Sequence, residues 1–307
     1  MARLIDDIRR IGRLTMPWFI SPRKHEAWKK HAAQLLELIR TDESIPVILI
    51  DNVSAYYYEG TDQENWDLTV HFPNLAPPFP MFWIEHRMPK RIHSEIGDQD
   101  VNRLCLNGRT GFLIFGSVVE DVKGEGIPEN AKWVVSCEHL IDYGVSRDEI
   151  TGPHGSIHLA LDAEGRLLER PFMQTLADPV HNDHMVHHMG WLNPALLAIS
   201  FMHCKNVRVA DNPVPPKLAK KFRARHGFNP AAHKTLVIEP LKEILRREGR
   251  SGEVGLAKAM HICRGHFADY TQGKGLFGKY HGKYWIPSTV RGTKGKAAPA
   301  REIEVKV

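Results

Sequence analysis

Ile45-Pro-Val-Ile-Leu-Ile50 and the runs behind it, Gly111-Phe-Leu-Ile-Phe-Gly116, Lys132-Trp-Val-Val-Ser-Cys137 and Ser156-Ile-His-Leu-Ala-Leu161, decide the fold. Each is short, apolar and rich in β-branched or aromatic residues, and clusters of Pro, Gly, Asn and Asp separate them, as expected of strands. Thr69-Val-His-Phe72 and Met81-Phe-Trp-Ile-Glu85 read the same way. Ala163-Glu-Gly-Arg166 reads as the tight turn of a hairpin between Leu161 and Leu167. Residues 45 to about 172 are therefore expected to form a mostly antiparallel sheet.

Helical spacing flanks this region. Leu4, Ile5, Ile8, Ile11 and Leu14 fit a short amphipathic helix closed by Pro17. A second helix starts at Ser21-Pro22 and carries the stripe Trp28, Ala32, Leu35, Leu36 and Ile39, one face to pack on the sheet. From about Asp178 to Met202 the period turns helical again, with Pro194 as a first-turn proline of its apolar part. Asn212-Pro-Val-Pro-Pro216 punctuates the chain near a boundary between an N-terminal α+β domain, 1–204, and a basic module with a mobile tail, 205–307. Beyond it the pattern predicts a strand at Thr235–Glu239 and a short helix at Leu241–Arg247, and Glu302-Ile-Glu-Val-Lys-Val307 could add a last strand. The expected fold is α+β: an antiparallel sheet with packed helices, followed by a smaller α+β module with a curved antiparallel sheet.

The 307 residues are 42% hydrophobic and 25% charged, the composition of a globular chain with a substantial core. No apolar run approaches the ~20 residues that cross a bilayer, and the first residues lack a signal peptide's uninterrupted apolar segment. The chain is expected in the cytoplasm. Cys105, Cys137, Cys204 and Cys263 are scattered without a C-x-x-C pair and read as reduced thiols. The net charge of +5 conceals an asymmetry: residues 205–234 carry +7 and 261–296 carry +6, leaving −8 for the rest. Such a distribution favours a polyanionic partner at the C-terminal end. Lys217, Lys220, Lys221, Arg223 and Arg225 crowd together with no acid among them, a self-repulsion that phosphate contacts would relieve.

His261-Ile-Cys-Arg264-Gly265-His266-Phe267-Ala-Asp-Tyr270 and Tyr284-Trp285-Ile-Pro287-Ser-Thr-Val-Arg291-Gly292 concentrate histidine, arginine and aromatics. They read as a curled hairpin. A plain strand would place His261 and His266 on opposite faces, and a bulge at Gly265 would bring them together. Metal-free RNA cleavage needs these residue types: one imidazole takes the 2′-hydroxyl proton while another acid protonates the leaving oxygen, and arginine forks hold the phosphate. His261 and His266 are the candidate acid and base, Arg264 and Arg291 the clamps, and Tyr270 a further donor. Lys279, Lys283 and Trp285 would add contacts to the nucleic acid, Trp285 by stacking on a splayed base. His181, His184 and His188 share a helical face at a spacing that could hold zinc, although H-E-x-x-H is missing. No other cofactor is implied. Cys137-Glu138-His139 and His203-Cys204 place thiols beside imidazoles, but their apolar surroundings favour inert buried thiols.

Met202-His-Cys204-Lys-Asn206-Val207, Lys217 to Gly227, and His261-x-x-Arg264-Gly265-His266-Phe267 with Leu276-Phe277-Gly278-Lys279, Trp285-Ile-Pro287 and Arg291-Gly292 carry a resemblance. Over its last third the chain resembles a family of uncharacterised proteins from bacteriophages, prophages and other bacterial mobile elements. The resemblance implies a bacterial host setting and no established activity. In residue types alone the site is similar to small metal-independent ribonuclease toxins of the barnase, EndoU and RelE type. The expectation is a protein that engages RNA or another nucleic acid through its basic end and cleaves it at the hairpin. Two other readings remain open: a non-catalytic phage protein holding nucleic acid, a host factor or an inhibitor protein, and a structural phage component. The sequence sets no oligomeric state.

Overall fold

The computed structural model describes residues 3–18, 20–59, 72–87, 108–119, 127–144, 149–168, 172–174, 182–238, 261–263, 266–276, 279–286 and 289–291, with the backbone alone at 59, 172–174, 182–189, 238, 261–263, 266 and 289–291. Its centre is a mixed sheet of β1 (Val47–Leu49), β2 (Met81–Arg87), β3 (Arg109–Val118), β4 (Trp133–Asp142), β5 (Ser156–Leu161), β6 (Phe172–Gln174), β7 (Val207–Asn212) and β8 (His233–Ile238), in the order β6-β5-β4-β3-β2-β1-β8-β7. The run from β2 to β6 is antiparallel, as expected. β1 is not: it pairs parallel with β2 on one side and β8 on the other, so the expected antiparallel sheet is mixed. Parallel pairing needs a crossover, and α3 (Asp51–Glu59), which the sequence reading missed, joins β1 to β2.

Helices cover both faces. α1 (Leu4–Ile11) and α2 (His25–Thr41) bury Leu4, Ile5, Ile8, Leu35 and Ile39 against Val47, Trp83, Leu113 and Leu140. On the opposite face, α3 and α4 (Asn182–Met202) pack Val53, Tyr57, Leu192, Leu196, Ile199 and Phe201 on Ile84, Phe112, Ile114, Cys137 and Leu159. Burial on two sides explains why Phe82-Trp83-Ile84 and Phe112-Leu113-Ile114 are continuously apolar instead of alternating. Close packing also fixes Gly111, where an added Cβ would lie 2.1 Å from the Trp83 ring.

Local signals were read with mixed success. Gly12 in the left-handed region ends α1 at Ile11, so Leu14 lies beyond the helix. Pro22–Lys24 forms a 3₁₀ turn before α2, whose stripe buries Trp28, Ala32, Leu35 and Ile39 as expected. The 163–166 turn closes the bridge between Leu161 and Leu167, with Gly165 at φ 77°. Pro194, expected near a helix start, sits inside α4. Residues 69–71, the predicted helix at 241–247 and the tail from 292 lie outside the described residues.

The expected division at 204/205 is not a break in the sheet. β7 and β8 continue it through β1. Trp285 and Phe267 enter the same core as Phe201 of α4, with ring centroids 4.8 and 5.6 Å from it. Asn206 ties the segments together: its Nδ2 donates to the Trp285 carbonyl at 2.7 Å, and its Oδ1 accepts from the Trp285 N–H at 2.9 Å. The 212–216 segment, read as a boundary, leads from β7 into α5 (Pro216–His226).

Candidate nucleic-acid interface

α5 spans the eleven residues Pro-Lys-Leu-Ala-Lys-Lys-Phe-Arg-Ala-Arg-His between the edge strand β7 and β8. Pro216 occupies its first turn and Gly227, at φ 84°, caps its end by donating its N–H to the Arg223 carbonyl. Arg223, Arg225 and His226 fall in the last turn, where the helix dipole favours cations. The helix buries none of its residues. Ala219, Phe222 and His226 are half-buried on one stripe, and Phe222 makes ring contacts with His226 and Phe228 at 4.5 and 5.4 Å. The five expected cations, Lys217, Lys220, Lys221, Arg223 and Arg225, are all exposed. None of the ion pairs formed among the described residues involves them.

The second basic window folds differently. β9 (His261–Cys263) pairs antiparallel with β12 (Thr289–Arg291), and β10 (His266–Asp269) with β11 (Lys283–Ile286). Arg291 stands opposite His261 and Ile286 opposite His266, so four residues intervene on each arm of the ribbon. The bulge expected at Gly265 lies outside the described residues. The backbone places His261 across from Arg291 and gives no pairing of His261 with His266. Arg264 lies outside the described residues, as do the side chains of His261, His266 and Arg291.

The rest of the ribbon is covered on both faces. Phe267 and Trp285, opposite each other, turn into the main core. Tyr284 and Ile286 turn the other way into a small cluster with Leu276, Tyr270 and Tyr280. Trp285 is 2% exposed and meets Tyr56, Phe201 and Phe267 edge-on, so it is a core residue and offers no face to a base. Tyr270 is half-buried, its ring 6.1 Å from that of Tyr284, and its N–H bonds the Gly282 carbonyl. Lys283 donates its ammonium to the Pro73 carbonyl at 2.8 Å, a structural tie. Lys279 is exposed, with Nζ 5.3 Å from the Tyr280 ring centroid.

The zinc candidates His184 and His188 belong to α4 by backbone alone, and His181 lies outside the described residues. Among the described residues no group of three metal-ligating side chains converges. Cys137 and Cys204 are buried free thiols; burial pushes the Cys137 thiol far up and that of Cys204 up to about 12, which removes both as nucleophiles at neutral pH.

Sequence reasoning also missed a set of buried polar groups on β2 and β4. Glu85 accepts the Leu4 and Ile5 N–H groups at 3.0 and 3.2 Å and the Trp83 indole N–H at 2.7 Å, so a strand carboxylate caps α1. Burial raises its pKa despite these donors. His139 stacks on Phe112 and shares a 2.6 Å contact with the Thr110 hydroxyl, and His154 reaches the His139 carbonyl at 3.1 Å. Burial lowers the pKa of His86, and it lowers that of His154 to about 4. These groups are sealed from solvent, which marks them as structural. Only the strand register, unavailable from one sequence, could have found them.

Among the described residues, no helix is long and apolar enough to cross a membrane. Comparison with protein-family models, curated proteins and solved structures finds no match.

Proposed function

We propose that the chain is a nucleic-acid-binding protein of the phage and mobile-element setting its C-terminal signature suggests, with α5 as its principal contact. One observation carries the reading: five cations stand exposed on one helix that contains no acid and buries nothing. Stability gains nothing from that concentration of like charge, whereas a phosphate backbone would neutralise it with release of counterions. The test is equilibrium binding of labelled DNA and RNA by the full chain in the presence of chelator, beside the triple variant Lys217→Gln, Lys220→Gln, Lys221→Gln. Salt-sensitive binding lost in the variant supports the reading; a variant that binds like the parent overturns it, as does absence of binding to any nucleic acid.

A second reading, metal-independent RNA cleavage, draws support from His261 standing opposite Arg291 in the ladder. It relies on His261 and His266 as the acid and base, Arg264 and Arg291 as the phosphate clamps and Tyr270 as a further donor. The same chelated reactions run on a denaturing gel test it. Cleavage abolished by His261→Ala and by Arg291→Ala supports it, and intact RNA overturns it without touching the binding reading.

A further inference from the structure

Resting on the binding reading above, we infer that the polyanion is double-stranded DNA and that α5 enters its major groove. The inward stripe of α5 is Ala219, Phe222 and His226, all half-buried. At about 100° per residue the opposite line runs through Lys217, Lys220, Lys221 and Ala224, all exposed. Arg223 and Arg225 flank Ala224 and project about 100° to either side of it. The outward surface is thus three lysines at the N-terminal end, one small residue toward the C-terminal end, and an arginine on each flank, with the exposed Leu218 on the flank of Arg225.

That arrangement suits a groove with two walls. A flat anionic surface would meet the outward line and at most one flank, leaving the other arginine idle. In a groove the two arginines face phosphates on opposite strands, while Ala224 lets the helix axis approach the floor. A helix is about 10–12 Å across with its side chains, and the B-DNA major groove is about 12 Å wide. The A-form major groove of duplex RNA is too deep and narrow to admit one. The length agrees as well: eleven residues extend about 16 Å, enough to cross the groove. The chain runs from the edge strand β7 through α5 to its neighbour β8, so the helix is carried at that edge of the sheet.

The experiment measures anisotropy of three fluorescent probes of about 20 nucleotides per strand, a DNA duplex, the same sequence as an RNA duplex and one RNA strand, between about 50 and 200 mM salt with chelator. The inference expects the DNA duplex to bind at least about tenfold tighter than either RNA, with a log–log salt slope near −4.5 for five phosphate contacts. Arg223→Gln and Arg225→Gln should each reduce that slope by about 0.9, because each flank meets its own strand. RNA bound as tightly as DNA overturns the groove inference and leaves the polyanion reading standing. A slope that responds to only one arginine, or to neither, also overturns it. No binding to any probe sinks both. As α5 buries no residue, loss of binding in these variants cannot be ascribed to unfolding once their melting temperatures match the parent's.

Discussion

Two windows of nearly equal positive charge, 205–234 and 261–296, fold into different kinds of element. The first puts five of its eight cations on α5, where all five are exposed. The second folds into strands whose β10 and β11 have an apolar layer on each face, with Trp285 sealed in the core and the Lys283 ammonium bonded to the Pro73 carbonyl, while Lys274 and Lys279 stay exposed and Arg264, Lys294 and Lys296 lie outside the described residues. Charge density in a sequence says where cations are, and packing says whether they are available. The difference lies in the partners: α5 carries one half-buried stripe, whereas the ribbon pairs Phe267 with Trp285 on one face and Ala268 with Tyr284 on the other.

The largest expected effect tests the sealed side. Trp285→Ala should cost about 4 kcal/mol in chemical denaturation, because it removes a ring packed on Tyr56, Phe201 and Phe267. Replacing the three lysines of α5 by glutamine should change stability by less than about 0.5 kcal/mol. If Trp285→Ala melts like the parent and loses only binding, the contrast between the regions is broken.

Acid gives the next effect. The folded-state pKa of His154 is lowered by burial to about 4 from 6.5, so the folded protein resists a proton that the unfolded chain accepts. Its stabilising contribution is present above pH 6.5 and is lost as pH falls toward 4, by roughly 3 kcal/mol, and the lowered His86 adds in the same direction. His154→Gln should flatten the decline in unfolding free energy over that window. An unchanged pH profile in this variant would place the titration elsewhere.

Smaller in free energy but sharper in meaning is the salt dependence of binding. The triple lysine variant should lower the slope of log affinity against log salt from about −4.5 to about −2. Smallest is Lys283→Met, which should lower stability by about 1 kcal/mol through loss of its bond to the Pro73 carbonyl and leave nucleic-acid affinity unchanged. A fall in affinity there would show that the ribbon contributes cations after all.

Periodicity made α1, α2 and α4 legible, and short apolar runs between clusters of turn residues did the same for the β2–β5 strands. The sequence reading gives no helix for 216–226, although Pro216 and Gly227 mark its limits, and takes the prolines before it as a boundary. α3 escaped notice because Asp51-Asn-Val-Ser-Ala-Tyr-Tyr-Tyr-Glu59 has little helical apolar periodicity and is held by packing on α4 and β2. The hairpin was legible as paired segments, His261–Cys263 with Thr289–Arg291 and His266–Asp269 with Lys283–Ile286, whereas the bulge read at Gly265 lies outside the described residues.

By itself the sequence determined an α+β chain with helices flanking a sheet and its positive charge gathered toward one end, since those properties follow from residue identity and local spacing. The tertiary structure alone decided that β1 runs parallel to β2 and β8, that residues on both sides of 204/205 share one core, and that five cations of one basic window share a single exposed helix. Pairing and burial arise between segments far apart in the chain, and each side chain's exposure depends on what another segment lays over it.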